Sequence, residues 1–166
     1  MTTYVCPGSY DPVTSGHVDI IKRAMAHCDK LIIAVGDNSL KNSFFTLDEK
    51  IMFLKKVFKE YDKIEIESFT GLTVDFAEQK NASALVRGLR AVSDFEYEFQ
   101  MAMLNKKLKP HVETIFMMAN PDHSYISSGA VREFLKNNAD ITGLVPESIR
   151  QDMIALSNKK LMKNQE

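Results

Sequence analysis

The sequence has no tryptophan and only two cysteines, Cys6 and Cys28, in 166 residues. There is no Cys-x-x-Cys pair and no Cys/His cluster, so neither a disulfide framework nor a zinc site is expected, and a reducing cytoplasm is the simplest setting. No apolar run approaches the roughly 20 residues that span a bilayer, so no membrane segment is expected. Met1 to Cys6 shows no basic stretch followed by an apolar one, so no signal peptide is expected. The formal net charge is −1, with Lys and Arg spread along the chain rather than gathered in runs. That balance argues against a dedicated nucleic-acid binder. It suits a small anionic ligand held by a few placed basic residues. Repeats and low-complexity segments are also missing.

What is present is an alternation of short apolar runs with longer periodic ones. Tyr4-Val5-Cys6 reads as a strand ended by Pro7-Gly8, and Gly16 to about Cys28 as a helix. Leu31 to Val35 is a continuous apolar run of buried-strand type, followed by a polar loop from Asp37 to Phe44. Thr46 with Glu49 forms a capping-box pattern that opens a helix to about Phe58. Further strands are expected at Ile64–Ser68, Ala84–Val86 and Thr114–Met118. Further helices are expected at Thr73–Gln79, from Ser93 or Asp94 through Leu108, and from Ser127 or Ser128 to about Leu135. The last helix opens at Pro146 and runs to about Lys160. The pairs Met101/Met103 and Met117/Met118 read as packing residues. His27 and His111 read as surface residues.

Five strands alternating with helices indicate an α/β fold with a five-stranded parallel sheet, doubly wound. The chain reads as one domain over 1–166, with helical residues about 146–160 appended and a tail, 158–166, that frays. Ligands of such sheets bind beyond the carboxyl ends of the strands. The distinctive polar residues fall there.

The run Pro7-Gly8-Ser9-Tyr10-Asp11-Pro12-Val13-Thr14-Ser15-Gly16-His17 carries a strand into a helix. Glycine lets a phosphate approach the backbone, and a helix N-terminus offers unpaired N–H groups to an anion. His17, in the first helical turn, can donate a hydrogen bond to phosphoryl oxygen as charge develops. After the fourth strand, Arg87 and Arg90 flank Gly88 and Leu89; two arginine forks at a strand end suit phosphate. Ser127-Ser128 sits at an expected helix N-terminus. Lys41, from position alone, is an ordinary loop lysine.

The first run resembles the T/HxGH signature of the class I nucleotidyltransferase superfamily. Leu85 to Glu98 (LVRGLRAVSDFEYE) and Ile126 to Arg132 (ISSGAVR) are similar to segments of the bacterial phosphopantetheine adenylyltransferase family. The likeness runs from about residue 4 to residue 155. It implies a Rossmann-like nucleotidyltransferase fold and adenylyl transfer from ATP to 4′-phosphopantetheine, giving dephospho-coenzyme A and pyrophosphate in coenzyme A synthesis. An anionic phosphate nucleophile needs no activated serine, and pyrophosphate leaves well. Alignment of two polyanions and charge stabilisation remain to be supplied.

The resemblance also implies roles. His17, Lys41 and Arg90 would be catalytic. ATP would meet Ser9, Tyr10, His17, Gly88, Leu89, Arg90, Glu98 and the segment His123, Ser124, Tyr125, Ile126, Ser127, Ser128, Gly129. The acceptor would meet Ser9, Lys41, Thr73 (with Leu72 beside it) and Arg87. Tyr10 stands at a Phe position where backbone contact should matter more than the ring. His123 stands where relatives commonly carry Trp, and Gly129 where a third Ser or Thr is usual. Arg132 would serve phosphate or pair near Glu133. Mg²⁺ bound mainly by substrate and water, a homohexamer, feedback by coenzyme A and a cytoplasmic location are further implications; no protein metal ligands are expected. The competing readings are another transferase of the superfamily, making NAD-type dinucleotides or activating glycerol phosphate with CTP, and a non-catalytic nucleotide-binding module.

Overall fold

Four largely apolar runs and the alternating stretch Ile64–Phe69 become the strands of one parallel sheet. In the computed structural model, which describes residues 1–37 and 42–163, these are β1 (Thr3–Gly8), β2 (Lys30–Gly36), β3 (Ile64–Phe69), β4 (Ala84–Leu89) and β5 (Glu113–Met118). Their order is β3-β2-β1-β4-β5. The helices are α1 (Ser15–Met25), α2 (Leu47–Val57), α3 (Thr73–Gln79), α4 (Val92–Leu108), α5 (Ser128–Lys136) and α6 (Glu147–Lys163).

The continuous apolar run in β2 is explained by burial on both faces. Leu31, Ile33 and Val35 pack with Ile21, Phe53 and Ile149 in one core layer. Ile32 and Ala34 pack with Val5, Val74 and Leu85 in the other. The side-chain period of two sends neighbours to opposite faces, so a doubly covered strand must be apolar throughout.

The sheet reverses its order between β1 and β4, which is where such folds open a crevice. β1 pairs with β2 from Thr3↔Lys30 to Gly8↔Val35. With β4 it pairs only at Tyr4↔Ala84 and Val5↔Leu85. Pro7 has no N–H to offer a ladder; its carbonyl instead accepts from Arg87 Nη1 at 2.9 Å. The strands therefore part above Val5, and the mouth of the site lies in that gap.

Several boundaries differ from expectation. β1 continues through Pro7-Gly8, because β2 still pairs with it there. α1 stops at Met25, short of Cys28. α4 begins at Val92 with Ala91 at the N-cap and no side-chain cap, so neither Ser93 nor Asp94 caps it. Asp94 lies instead in the first turn, where a carboxylate favours the helix dipole. α6 runs to Lys163, through residues 158–163 of the stretch expected to fray. Met153 and Ser157 are buried beneath it, and Lys160 Nζ reaches Glu49 Oε2 at 2.8 Å. Met103 and Met118 are exposed at 57% and 63%, not packed in a core. α4 contributes no buried residue at all. The Thr46–Glu49 capping box is present, with Glu49 Oε2 accepting from Thr46 N–H at 2.8 Å.

Candidate active site

The turn from β1 to α1 is built around Tyr10. Its φ of +46° lies in the left-handed region that non-glycine residues rarely adopt. Two contacts hold it there: the hydroxyl donates to the Cys6 carbonyl at 2.8 Å, and the ring meets the His17 imidazole edge-on, with centroids 5.1 Å apart. The ring also covers Gly8. A Cβ at Gly8 would lie 3.0 Å from Tyr10 Cε2. Whatever its backbone offers a nucleotide, the Tyr10 ring has a structural place as the wall behind His17. The next residue, Asp11, accepts backbone N–H bonds from Phe44 and Phe45, both at 2.8 Å. This ties the turn to the chain that follows Lys41. Lys41 itself lies outside the described residues.

Thr14 is the N-cap of α1, and His17 closes a reciprocal capping box with it. Thr14 Oγ1 accepts from His17 N–H at 3.3 Å, and the Thr14 N–H donates to His17 Nδ1 at 3.1 Å. A backbone N–H can only donate, so Nδ1 is the unprotonated nitrogen and the neutral ring carries its proton on Nε2. Burial, then the charges of Arg90 and Arg87, pull the His17 pKa down to about 4. At neutral pH the imidazole is a neutral donor of fixed tautomer. It has no proton-accepting role to play at Nδ1.

The two arginines are held differently. Arg87 donates from Nε to Glu98 Oε2 at 2.7 Å and from Nη2 to Glu98 Oε1 at 2.5 Å. That bidentate bond is the leading cause of its raised pKa. Arg90 makes a looser ion pair with Asp94 at 3.3 Å and a 3.4 Å bond to the Ile126 carbonyl.

Helix α5 presents its N-terminus from the other side. Ser127 caps it, accepting from Ala130 N–H at 3.0 Å. Ser128 Oγ donates to the Pro12 carbonyl at 2.7 Å, and Arg132 Nη1 donates to the Asp11 carbonyl. Ser128 Oγ is thus engaged with the Pro12 carbonyl, Ser127 Oγ accepts the cap bond and keeps its O–H as a donor, and Arg132 reaches the Asp11 turn rather than Glu133. The N–H groups of Ser128 and Gly129 have no partner among the described residues. With the helix dipole they form an anion-binding end. At Gly129 a Cβ would meet Arg132 Nη2 at 3.8 Å, an ordinary contact, so glycine is not sterically demanded there.

These parts enclose a cavity of about 530 Å³. Of the residues picked out in the sequence, Ser9, Tyr10, His17, Arg87, Gly88, Arg90, Glu98, His123, Ile126, Ser127, Ser128, Gly129 and Arg132 line it. Leu89, which the resemblance places against ATP through its backbone, is not among the lining residues, and its side chain is turned into the core at 5% exposure. Ser124 bonds to the Pro121 carbonyl at 3.0 Å, Tyr125 faces outward at 71% exposure, and neither lines the cavity. Thr73 opens α3 away from it, while Leu72 lines a second cavity with Asp37 and Phe69. His123 covers Gly16, and its Nδ1 is buried with no hydrogen-bond partner among the described residues. Sequence reasoning did not single out Asp94 and Tyr97, which also line the site. Their approach depends on how α4 leans on β4, and no local pattern encodes that. Among the described residues no three His, Cys, Asp or Glu side chains gather where they could hold a metal ion.

A sheet of order 3-2-1-4-5, with a histidine at the first helix start and arginines at the fourth strand end, is the architecture of a nucleotidyltransferase. Residues 5–134 match the family model described as cytidylyltransferase-like. A solved bifunctional NMN adenylyltransferase/ADP ribose pyrophosphatase from Francisella tularensis, complexed with AMP and a manganese ion, has a similar fold, with a TM-score of 0.66 and 15% identity. The comparison covers 99% of this chain and 53% of that one, so the chain spans about half its length. The phosphopantetheine adenylyltransferase of Alkaliphilus metalliredigens is 47% identical over 153 residues, covering 92% of this chain and 98% of the relative. That of Clostridium botulinum is 46% identical over 160 residues, covering 96% and 98%. The chain belongs to the phosphopantetheine adenylyltransferase family.

Proposed function

We propose that this chain transfers the adenylyl group of ATP to the phosphate of 4′-phosphopantetheine. A phosphate oxygen of the acceptor bonds to the α-phosphorus of ATP, the bond from that phosphorus to the bridging oxygen of the β-phosphate breaks, and pyrophosphate leaves. Dephospho-coenzyme A is the other product. The observation that carries this reading is His17, neutral with its proton on Nε2, between two arginines at the parting of β1 and β4.

Each part has a share in the work. The Ser128 and Gly129 N–H groups and Arg90 would receive the triphosphate. Arg87, and Lys41 by family position, would receive the acceptor phosphate, with Thr73 and Leu72 near its pantetheine arm. Ser9, exposed at the end of β1, stands between the two. His17 Nε2–H would strengthen its bond to an α-phosphate oxygen as charge builds there, which lowers the barrier rather than the ground state. Mg²⁺ would arrive chelated by the triphosphate and keep much of its water, as this hard cation commonly does at nucleotide sites. Such an ion would offset the repulsion between the two polyanions.

A cytoplasmic homohexamer with feedback by coenzyme A belongs to the same reading. Among the described residues no helix is long and apolar enough to cross a membrane. The apolar side chains left bare on α4, such as Phe99 at 51% and Leu104 at 48%, favour burial against further copies of the chain.

A panel of acceptors tests the function. With ATP, pyrophosphate release is expected with 4′-phosphopantetheine and not with nicotinamide mononucleotide. Release with nicotinamide mononucleotide alone overturns the proposal.

A further inference from the structure

We infer that Asp11 is a positioning residue for His17: its carboxylate pins the turn that holds the Tyr10 ring behind the imidazole. The inference rests on the reading above, in which His17 donates to the α-phosphate as charge builds there.

Tyr10 needs a restraint from outside. Among the described residues three non-glycine residues have positive φ: Tyr10 at +46°, Asn81 at +52° and Asn138 at +52°. Asparagine visits the left-handed region readily, because its short polar side chain bonds locally. A bulky tyrosine does not. The bond from its hydroxyl to the Cys6 carbonyl fixes the far end of the ring and leaves the backbone free. The backbone is fixed one residue further on.

Asp11 does the fixing. It is buried, at 7% exposure. Its two carboxylate oxygens serve two donors: Oδ2 accepts from Phe44 N–H and Oδ1 from Phe45 N–H, each at 2.8 Å. Bonds to an ionised acceptor are stronger than bonds between neutral groups. The Asp11 carbonyl accepts from Arg132 Nη1, which also lies 4.0 Å from Oδ2. The anchor itself is rigid. Phe45 is fully buried, with its ring edge-on to Phe44 at 4.9 Å and to Phe53 of α2 at 5.1 Å. The connection therefore runs from the core side of α2 through Phe45 to Asp11. It passes along the adjoining backbone to Tyr10, and from the Tyr10 ring to His17. Asp11 is not among the residues that line the cavity, so it acts through the others. Without its carboxylate, Tyr10 is free to relax to negative φ. Its ring would then leave the imidazole, and Nδ1 would no longer be held on the Thr14 N–H.

Kinetics of Asp11→Ala and Asp11→Asn, alone and with His17→Ala, test this. Asp11→Ala should lower kcat at least tenfold and leave KM for ATP and for 4′-phosphopantetheine within threefold. Asp11→Asn keeps the shape and one acceptor oxygen, so its kcat should fall between the two; it carries the test alone if the alanine variant does not fold. In a His17→Ala background, either substitution should change kcat by less than twofold, because the residues act as one unit. An undiminished loss in that background overturns the inference. So does a tenfold rise in KM for 4′-phosphopantetheine with kcat unmoved, which would place the action of Asp11 on the acceptor side.

A second readout does not depend on turnover. Nitrogen NMR of the unsubstituted protein should show His17 with Nδ1 bare and Nε2 protonated. In Asp11→Asn the two shifts should move towards each other, as the second tautomer becomes populated. Unchanged shifts overturn the inference. If the unsubstituted chain releases no pyrophosphate with 4′-phosphopantetheine, the functional reading falls, and the His17 nitrogen shifts still decide the role of Asp11.

Discussion

The backbone N–H of Thr14 donates to Nδ1 of His17 across 3.1 Å, and this bond decides which nitrogen of the imidazole can face a substrate. The same two residues share a second bond, from His17 N–H to Thr14 Oγ1 at 3.3 Å. A helix cap thereby doubles as the device that sets a tautomer. A histidine in place of the usual Glu or Gln at the third helical position makes this possible.

The first prediction concerns the protonation of His17. Nitrogen NMR should show a neutral ring with the proton on Nε2 from neutral pH down to about 5, titrating near pH 4. The pKa is lowered in the folded state, so between roughly pH 4 and the ordinary histidine value near 6.5 the unfolded chain binds a proton that the folded chain does not. His17 therefore costs stability as pH falls through that window and has no effect on its slope above it. His17→Gln should flatten the decline in stability over that range. A titration near 6.5, or a proton on Nδ1, contradicts the assignment.

Removal of the imidazole should act on the chemical step. His17→Ala is expected to lower kcat by about 10²–10³-fold, the usual cost of one transition-state donor, with KM for ATP changed only a few-fold. Steady-state kinetics check this. An equal loss in kcat and ATP affinity would instead assign His17 to ground-state binding.

The Tyr10 ring should prove sensitive from the glycine side. Gly8→Ala would place a Cβ 3.0 Å from Cε2 of a ring fixed by the Cys6 carbonyl and the His17 imidazole. The ring cannot yield without moving His17. Overpacking of this kind costs about 1–3 kcal/mol. The activity loss should exceed tenfold in a protein that still folds, as read by kinetics alongside thermal unfolding. Full activity with a Cβ at residue 8 would show that the ring does not hold the imidazole.

Ser157 offers a prediction about stability alone. It is fully buried in α6, and its Oγ has no hydrogen-bond partner among the described residues. A buried hydroxyl left unpaired costs about 1–3 kcal/mol. Ser157→Ala should therefore raise the denaturant midpoint with no change in kcat. A fall in the midpoint would mean the hydroxyl is satisfied in solution.

Much of the architecture could be read from the chain because local signals there agree with tertiary ones. Leu31 to Val35 is apolar at every position, and only a strand covered on both faces requires that. Thr46 and Glu49 cap each other through neighbouring backbone, so their pattern needs no distant partner. His17 could be placed at a helix start for the same reason. What escaped the sequence lies in contacts between distant elements. Arg87 and Glu98 are eleven residues apart, and their pairing depends on the lean of α4 over β4. Nor does the sequence show that the Ser128 hydroxyl bonds the Pro12 carbonyl while Ser127 Oγ takes the Ala130 N–H of its own first turn. Pro7 looked like a strand end, yet β1 persists because β2 pairs with it on the side where no proline N–H is needed. Met103 and Met118 fit a core pattern, but that pattern does not say which apolar faces remain bare within one chain.

The path of the α-phosphorus tests the central claim most directly. With ATP labelled at that atom, 4′-phosphopantetheine and Mg²⁺, the label should appear in dephospho-coenzyme A. Unlabelled pyrophosphate should form in equal amount. Label confined to free AMP or ADP, with no adduct on the acceptor, would contradict adenylyl transfer by this site.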